Sequence, residues 1–533
     1  MFILKELLDI KQKIKKMFWF ELIYLPSAAL ICGLSFCFLQ VYFGSRIGAD
    51  RCVHTFLIKS LKENRHKLFV KIPKLLNSNS IGALPLYLHW ILSWLSRHQL
   101  KIAERLINPL VFILYFFLVC LILYKSRLDS ASVLVNYGYI ICACVLTPQN
   151  FHALNAKNFG FSARGLGALF LTLFLSSNVL FPKNDLMAIV CASFSSWLIW
   201  GFSTFAAQAM IIFCILIWIL TGSCTLFLGA AFGLLIFFII NFKYASGYIG
   251  KTFAYMYNYS KFVAPVYILK YRFSIWRDLV YDLWKILKVN PKQGIRYAYE
   301  NSILIIIFLN PLVLICCYRF FFDQNPRTSL ENYANSVAIA GLISAIITSF
   351  RKTRFLGEPE RYAEAVIPWA AISGISFLQD KIGLPVVYFI LVYFVIIDLL
   401  QIKISKDLFK NNLSLQKSLG KAVKIVNAAT NKIKCVCNNE QITKSLLDQN
   451  WRFSCLISPC EKYCGYTFNK AFTKYPFLSQ RLINKIIKKY KINLFVKFKK
   501  IEDLKLVNKV WLTNSKILFD DKNIQVIYLQ WKN

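Results

Sequence analysis

Residues 207–241 read AQAMIIFCILIWILTGSCTLFLGAAFGLLIFFIIN, two apolar runs at 207–221 and 224–241 that hold no Asp, Glu, Lys or Arg. Each approaches the roughly 20 residues a helix needs to cross a bilayer. Working outward, the same pattern recurs at 18–43, 107–124, 131–147, 165–181, 186–201, 302–320, 336–350, 366–380 and 385–402. A chain of 533 residues that is 57% hydrophobic, with a mean hydropathy of +0.49, is therefore expected to be a polytopic all-α membrane domain of about 11 spans. The first apolar run begins near Met17 behind a basic start and is followed by charged sequence without a small-residue cleavage site, so the first helix is expected to be retained. The segment Ile81–Leu95, IGALPLYLHWILSWL, is short and carries Pro85 and His89, which assigns it to the membrane interface.

With the N terminus inside, the segments 44–106, 148–164, 242–301 and 351–365 and the tail from 403 fall outside. Those segments carry every histidine of the chain, at positions 54, 66, 89, 98 and 152. Polar chemistry thus gathers on one face. The basic 242–301 loop runs against the tendency of positive charge to stay inside, but that tendency is weak for long loops. Within this loop, Tyr271–Lys288 sets Trp276, Leu279, Val280, Leu283, Trp284 and Leu287 on one helical face, a pattern for a helix in the headgroup plane.

The formal charge of +38 is spread through loops and tail without an RNA-binding motif. Anionic headgroups or anionic lipid-linked substrates fit it better than nucleic acid. Ten of the 16 cysteines lie in apolar runs as small hydrophobes, and the five of the tail form no CxxC pair, which argues against a zinc site or a disulfide framework. The membrane domain is assigned to 1–402 and a basic linker to 403–432. Short strand-like runs such as KIKCVCNN and KNIQVIYL, with the helix-like LSQRLINKIIKKY, make 433–533 a small α/β domain. It has no Gly-rich phosphate loop, so nothing points to a nucleotide.

Three stretches carry candidate chemistry. In GADRCVH, Asp50 stands at a membrane boundary, and on a helix beginning near Ala49 His54 lies four residues on, along the same face. Asp50 fits a helix N-cap, and equally a general base or a ligand for a divalent metal. In FHALNAKNFGFSARGLG, Arg164 stands at the mouth of the fourth span, where a guanidinium either snorkels or holds a phosphate. In RFLGEPERYAEA, residues 354–365, Glu358 and Glu360 flank Pro359, which disfavours helix at Glu358, and Arg361 and Tyr362 follow. A Gly and a Pro in so charged a turn suggest a geometry aimed at a ligand.

In order and layout these features resemble the GT-C class of polytopic glycosyltransferases, which includes protein O-mannosyltransferases, aminoarabinose transferases and the catalytic subunits of oligosaccharyltransferases. The likeness spans about 400 residues and is carried by GADRCVH, IGALPLYLHWILSWL, TPQNFHALNAKNFGFSARGLG and GEPERYAEAVIPW. The class has an acidic residue at the opening of its first outer loop, and several members pair it with a second. Here Arg51 follows Asp50 and Glu63 is distant, which leaves the need for a metal open. The resemblance implies an inverting transfer of a sugar from a polyprenyl-phosphate carrier to a lipid, glycan or protein acceptor, at the outer face of a bacterial inner membrane. It gives Asp50 the base role with His54 nearby, Arg164 and Arg361 the donor phosphate, and Glu358, Glu360 and Tyr362 the sugar or acceptor. A polysaccharide polymerase and a transporter or flippase of lipid-linked saccharides are the rival readings. The second would call for charges inside the spans.

Overall fold

The computed structural model describes residues 23–44, 49–68, 75–76, 85–127, 137–152, 161–258, 260, 280, 284, 287–288, 301–323, 328–350, 352–454, 466, 468–474, 477–499 and 512–531. The amphipathic helix expected over Tyr271–Lys288 lies almost wholly outside the described residues, as do Cys455, Cys460 and Cys464.

All eleven apolar runs carry helix. They lie in α1 (Leu25–Gly44), α4 (Arg97–Arg127), α5 (Tyr137–Leu146), α6 (Arg164–Leu180), α7 (Asp185–Phe202), α8 (Thr204–Thr221), α9 (Thr225–Ile240), the pair α11 (Ser302–Leu309) and α12 (Leu312–Phe322), α13 (Ser329–Ser349), α15 (Ile367–Lys381) and α16 (Leu384–Ala429). Between them stand α2 (Ala49–Glu63), α3 (Tyr87–Ser93), α10 (Phe242–Asn258) and α14 (Glu360–Ala365). Among the described residues six helices are long and apolar enough to cross a membrane: α1, α4, α7, α8, α13 and the first half of α16. α11 with α12 makes a seventh if the two count as one span. That pair was expected as one helix over 302–320 and is bent by 84°. Pro311 offers no N–H and pushes Asn310 out of the helical region, and the freed Asn310 side chain donates to the Ala363 carbonyl at 3.0 Å.

Polar residues at the ends of the apolar runs set the helix boundaries. Asn184, Ser203 and Thr328 accept backbone N–H bonds in the first turns of α7, α8 and α13. Gly222, at φ 72°, takes the left-handed conformation that closes α8 and turns the chain into α9. Helix α9 then packs on α7 through glycines: a Cβ at Gly229 would overlap Ala192, and one at Gly233 would overlap Ser196. Small residues four apart are what lets two helices approach this closely in an apolar medium. The bundle core is filled by Phe174, Phe213, Tyr362 and Trp369, all fully buried.

Helix α16 runs 46 residues without a break, so residues 403–429, expected as a linker, are the far half of a helix. Its inward stripe passes from Val387 and Phe394 to Asp398, Gln401 and Ser405, while Lys403, Lys406, Lys410, Lys417, Lys421 and Lys424 face outward. The chain then enters a five-stranded sheet in the order β2-β1-β5-β7-β6. Its strands are β1 (Lys434–Cys437), β2 (Arg452–Phe453), β5 (Leu494–Phe498), β6 (Leu512–Asp520) and β7 (Ile524–Trp531). β1 pairs in parallel with β2 and β5, and the β5–β7 and β7–β6 pairs are antiparallel. A separate two-stranded ribbon of β3 (Phe472–Lys474) and β4 (Phe477–Leu478) joins the end of β1, the Leu478 N–H donating to the Asn438 carbonyl at 2.9 Å.

One face of the sheet is covered by α18 (Gln480–Tyr490), whose Leu482, Ile483, Ile486 and Ile487 meet Val436, Phe495 and Leu529. The other face shares a core with Val53, Phe56, Leu57 and Leu61 of α2, Leu419 and Val426 of α16, and α17 (Glu440–Leu446). The α/β unit thereby clamps the loop helix that carries Asp50.

Candidate functional site

At one end of the bundle, five elements meet around a pocket of about 80 Å³. α1 supplies Cys37 and Gln40. α4 supplies Asn108, Val111, Phe112 and Tyr115. The 3-10 turn Pro148–Phe151 adds Asn150 and Phe151. α6 adds Gly165, Ala168, Leu169 and Thr172, and α14 closes the pocket with Glu364 and Ala365. Amides, a hydroxyl and a carboxylate thus share one space with an apolar wall. Gln40 is itself held in place, its amide donating to the Phe151 carbonyl.

Arg164 is the first residue of α6, directly before Gly165 of the pocket lining. A cation in the first turn adds to the positive end of the helix dipole, so this placement costs helix stability and favours an anion nearby. Glu358 and Arg361 form an ion pair across the start of α14, and the guanidinium also lies over Phe205 at 5.4 Å. Gly357 has φ 109° and Glu358 is outside the helix, but Glu360, expected with it in the turn, is the first residue of α14. Glu360 is buried, accepts from the Ser302 hydroxyl, and its backbone carbonyl accepts from Gln149. Tyr362 is fully buried between Phe205 and Phe213, and its hydroxyl donates to the Leu356 carbonyl at 2.7 Å. Burial pushes that phenol up from its ordinary range.

Asp50 is the second residue of α2, and its side chain lies outside what the structure describes. The next residue, Arg51, grips Glu104 with two guanidinium nitrogens, the Nη2–Oε2 bond being 2.9 Å. Glu104 holds the Arg51 guanidinium above its ordinary range. Burial pushes the neighbouring Cys52 thiol up to about 12, which leaves it protonated and unreactive at neutral pH. Glu104 is one helical turn before Asn108, so α4 carries both the partner of Arg51 and a wall of the pocket. His54 meets the buried His89 of α3, Nδ1 to Nε2, at 2.8 Å. Among the described residues no group of three or more His, Cys, Asp or Glu comes together that could hold a metal ion.

Of the sequence candidates, none lines the pocket, while Gly165 and Glu364 are its closest links to them in the chain. Gln40, Asn108 and Asn150 were not among the candidates. Each is one amide whose meaning comes only from the meeting of five separate segments.

No family model matches the chain, and no curated protein matches it. Among solved structures it is similar to the Archaeoglobus fulgidus oligosaccharyltransferase in the apo form, with a TM-score of 0.52 and 11% identity over 90% of this chain and 70% of that one. It also matches the archaeal oligosaccharyltransferase AglB from Archaeoglobus fulgidus in complex with an inhibitory peptide and a dolichol-phosphate, with a TM-score of 0.45, 12% identity and the same coverage. At such low identity the likeness is one of fold. The chain shares its overall fold with that apo oligosaccharyltransferase structure.

Proposed function

We propose that this protein is an integral-membrane glycosyltransferase that moves a sugar or glycan from a polyprenyl-phosphate-linked donor to an acceptor, with a protein acceptor favoured by the oligosaccharyltransferase-like fold. The observation that carries the reading is the pocket in which Gln40, Asn108, Asn150, Thr172 and Glu364 sit on an apolar wall beside the opening turn of α6. Amide and carboxylate oxygens suit sugar hydroxyls, and the wall suits the first units of a lipid tail.

In this reading Asp50 takes the proton of the acceptor nucleophile as that atom bonds to the sugar carbon. The bond from that carbon to the phosphate oxygen breaks, and the lipid phosphate leaves toward Arg164. His54, one turn beyond Asp50, carries the proton onward. Arg361 reaches the phosphate by exchanging its Glu358 partner. Glu360 and Tyr362 hold the turn in which that pair stands. The site faces the outer side of the membrane, and any need for a divalent cation would fall on Asp50 with groups of the substrate.

Asp50→Asn in proteoliposomes, given a radiolabelled polyprenyl-phosphate-linked sugar, should abolish transfer at unchanged expression. Retained transfer removes Asp50 from the mechanism. Single cysteines at positions 50, 164 and 358 should label from one side of the membrane, and labelling of 50 and 358 from opposite sides overturns the reading.

One observation favours a second reading, a carrier of lipid-linked saccharides. Asp398 lies in the span of α16, is fully buried, and neither carboxylate oxygen has a hydrogen-bond partner among the described residues. Ionisable groups at such depth mark translocation paths. Movement of a labelled lipid-linked sugar across vesicles without any acceptor, lost in Asp398→Asn, would support the carrier over the transferase.

A further inference from the structure

Helix α2 is held from two sides. Its apolar stripe of Val53, Phe56, Leu57 and Leu61 is buried in the core it shares with the α/β unit. At about 100° per residue, Arg51 falls on the far side of the helix from that stripe. There its guanidinium meets the Glu104 carboxylate of α4, Nε donating to Oε1 and Nη2 to Oε2, the second bond at 2.9 Å. Two parallel bonds between planar groups fix an angle as well as a distance. The Glu104 side chain is 10% exposed and that of Arg51 is 43% exposed, so the carboxylate is the sunken half of the pair and Arg51 reaches in to supply its counter-charge.

What this bond joins sets it apart from the lysine bonds of α2. Lys59 goes to the Asp448 carbonyl of the α/β unit, and Lys62 to the Leu95 carbonyl just beyond α3. Arg51 reaches a membrane-length helix instead. One turn past Glu104, about 5.4 Å along α4, Asn108 lines the pocket. On the other side of the bond, Asp50 is the residue before Arg51, its Cα about 3.8 Å away along the same helix. Any sliding or rotation of α2 against α4 therefore carries the Asp50 backbone away from the pocket wall.

We infer that Arg51 and Glu104 are positioning residues, a two-bond tie that holds the opening turn of α2 in register with the pocket wall on α4. Misplacing a reacting group by about 1 Å can cost roughly 100-fold in rate, so such a tie bears on turnover without touching substrate. A lysine at position 51 keeps the charge but is a point donor without the planar fork, so Arg51→Lys keeps an attraction and loses the angle. The effect on transfer rests on the glycosyl-transfer reading, whereas the tie itself does not.

Two measurements separate the tie from the reaction. Spin labels carried on p-acetylphenylalanine at the exposed positions Glu63 of α2 and Leu114 of α4 leave the native cysteines in place. Pulsed electron resonance in proteoliposomes should give one narrow distance for the wild type, and a broadened or shifted one for Arg51→Lys and for Glu104→Gln. An unchanged distance in both variants overturns the tie. With a radiolabelled polyprenyl-phosphate-linked sugar, Arg51→Lys should lower kcat per folded protein about tenfold with KM unchanged, and the charge swap Arg51→Glu with Glu104→Arg should recover part of the rate. A displaced distance with unchanged kcat makes the pair merely structural, and a raised KM with unchanged kcat makes it a donor contact. Either result overturns the positioning role. Absence of transfer by the wild type, with the distance behaving as expected, defeats the glycosyl-transfer reading and upholds the tie.

Discussion

Arg361 closes on Glu358 three residues earlier and spreads over the Phe205 ring, its guanidinium carbon 5.4 Å from the centroid. The Glu358 side chain is 9% exposed and that of Arg361 is 20% exposed, so the pair is largely shielded from water. Removing one member of a buried pair leaves the other charged and uncompensated, which costs about 3–5 kcal/mol. Arg361→Ala should therefore lose about 3 kcal/mol in thermal or denaturant unfolding in detergent, the lower figure reflecting the part-exposed guanidinium. The double variant Arg361→Ala with Glu358→Gln should recover much of that loss. Equal instability of the single and double variants would show that the pair does not hold the turn.

The α7–α9 contact depends on side chains that are missing. At Gly233 a Cβ would overlap Ser196, whose hydroxyl bonds to the Ala230 carbonyl of α9 at 3.2 Å. Gly233→Ala should destabilise the bundle by about 1–3 kcal/mol, as forced overpacking does. Gly250 in α10 has nothing within 4 Å of its would-be Cβ, so Gly250→Ala should be neutral or gain up to about 1 kcal/mol of helix propensity. Comparable loss in both variants would mean that the glycines act through the helix alone and not through the crossing.

These two sites show what could be read from the chain and what could not. The charged turn at 354–365 was legible because Pro359 disfavours helix at Glu358 and Gly357 permits the positive φ found there, whereas the start of helix at Glu360 was not expected. Each of the eleven apolar runs carries helix among its described residues, because a helix satisfies backbone N–H and C=O groups within the segment where an apolar medium offers them no partner. The Asn310–Pro311 signal for a break was present in the sequence, but the apolar residues around it hid it. The pocket was not legible. Asn108 and Gln40 sit in runs whose periodicity reports only a membrane face; Gln40 bonds to Phe151, 111 positions on, and Asn108 shares the pocket with residues of four other segments.

Asp398 of α16 is fully buried, and both of its carboxylate oxygens lack a partner among the described residues. A polar group taken from water without compensation costs about 1–3 kcal/mol by mutational measures, and an ionised one more. Asp398→Leu should therefore raise the unfolding temperature in detergent, against the usual direction for a core substitution. A stability gain with transfer intact would mark Asp398 as a tolerated liability. A gain accompanied by loss of vesicle transport would mark it as the working group of the carrier reading.

The His89 ring makes stability depend on pH in a stated direction. Its folded value lies well below the ordinary 6.5, because burial and the facing His54 both oppose a charge. In the unfolded chain the ring takes a proton as pH drops through 6.5, while in the folded chain it does not, so the unfolded state binds more protons in that window. Stability contributed by the neutral ring is present above 6.5 and is lost as pH falls toward the folded value, at no more than about 1.4 kcal/mol per pH unit. His89→Gln removes this titration while keeping a polar side chain of similar reach. Between pH 7.5 and 5.5 the wild type should lose more stability than His89→Gln in detergent unfolding followed by tryptophan fluorescence. Parallel curves for the two proteins would mean that His89 is reached by water and protonated in the fold.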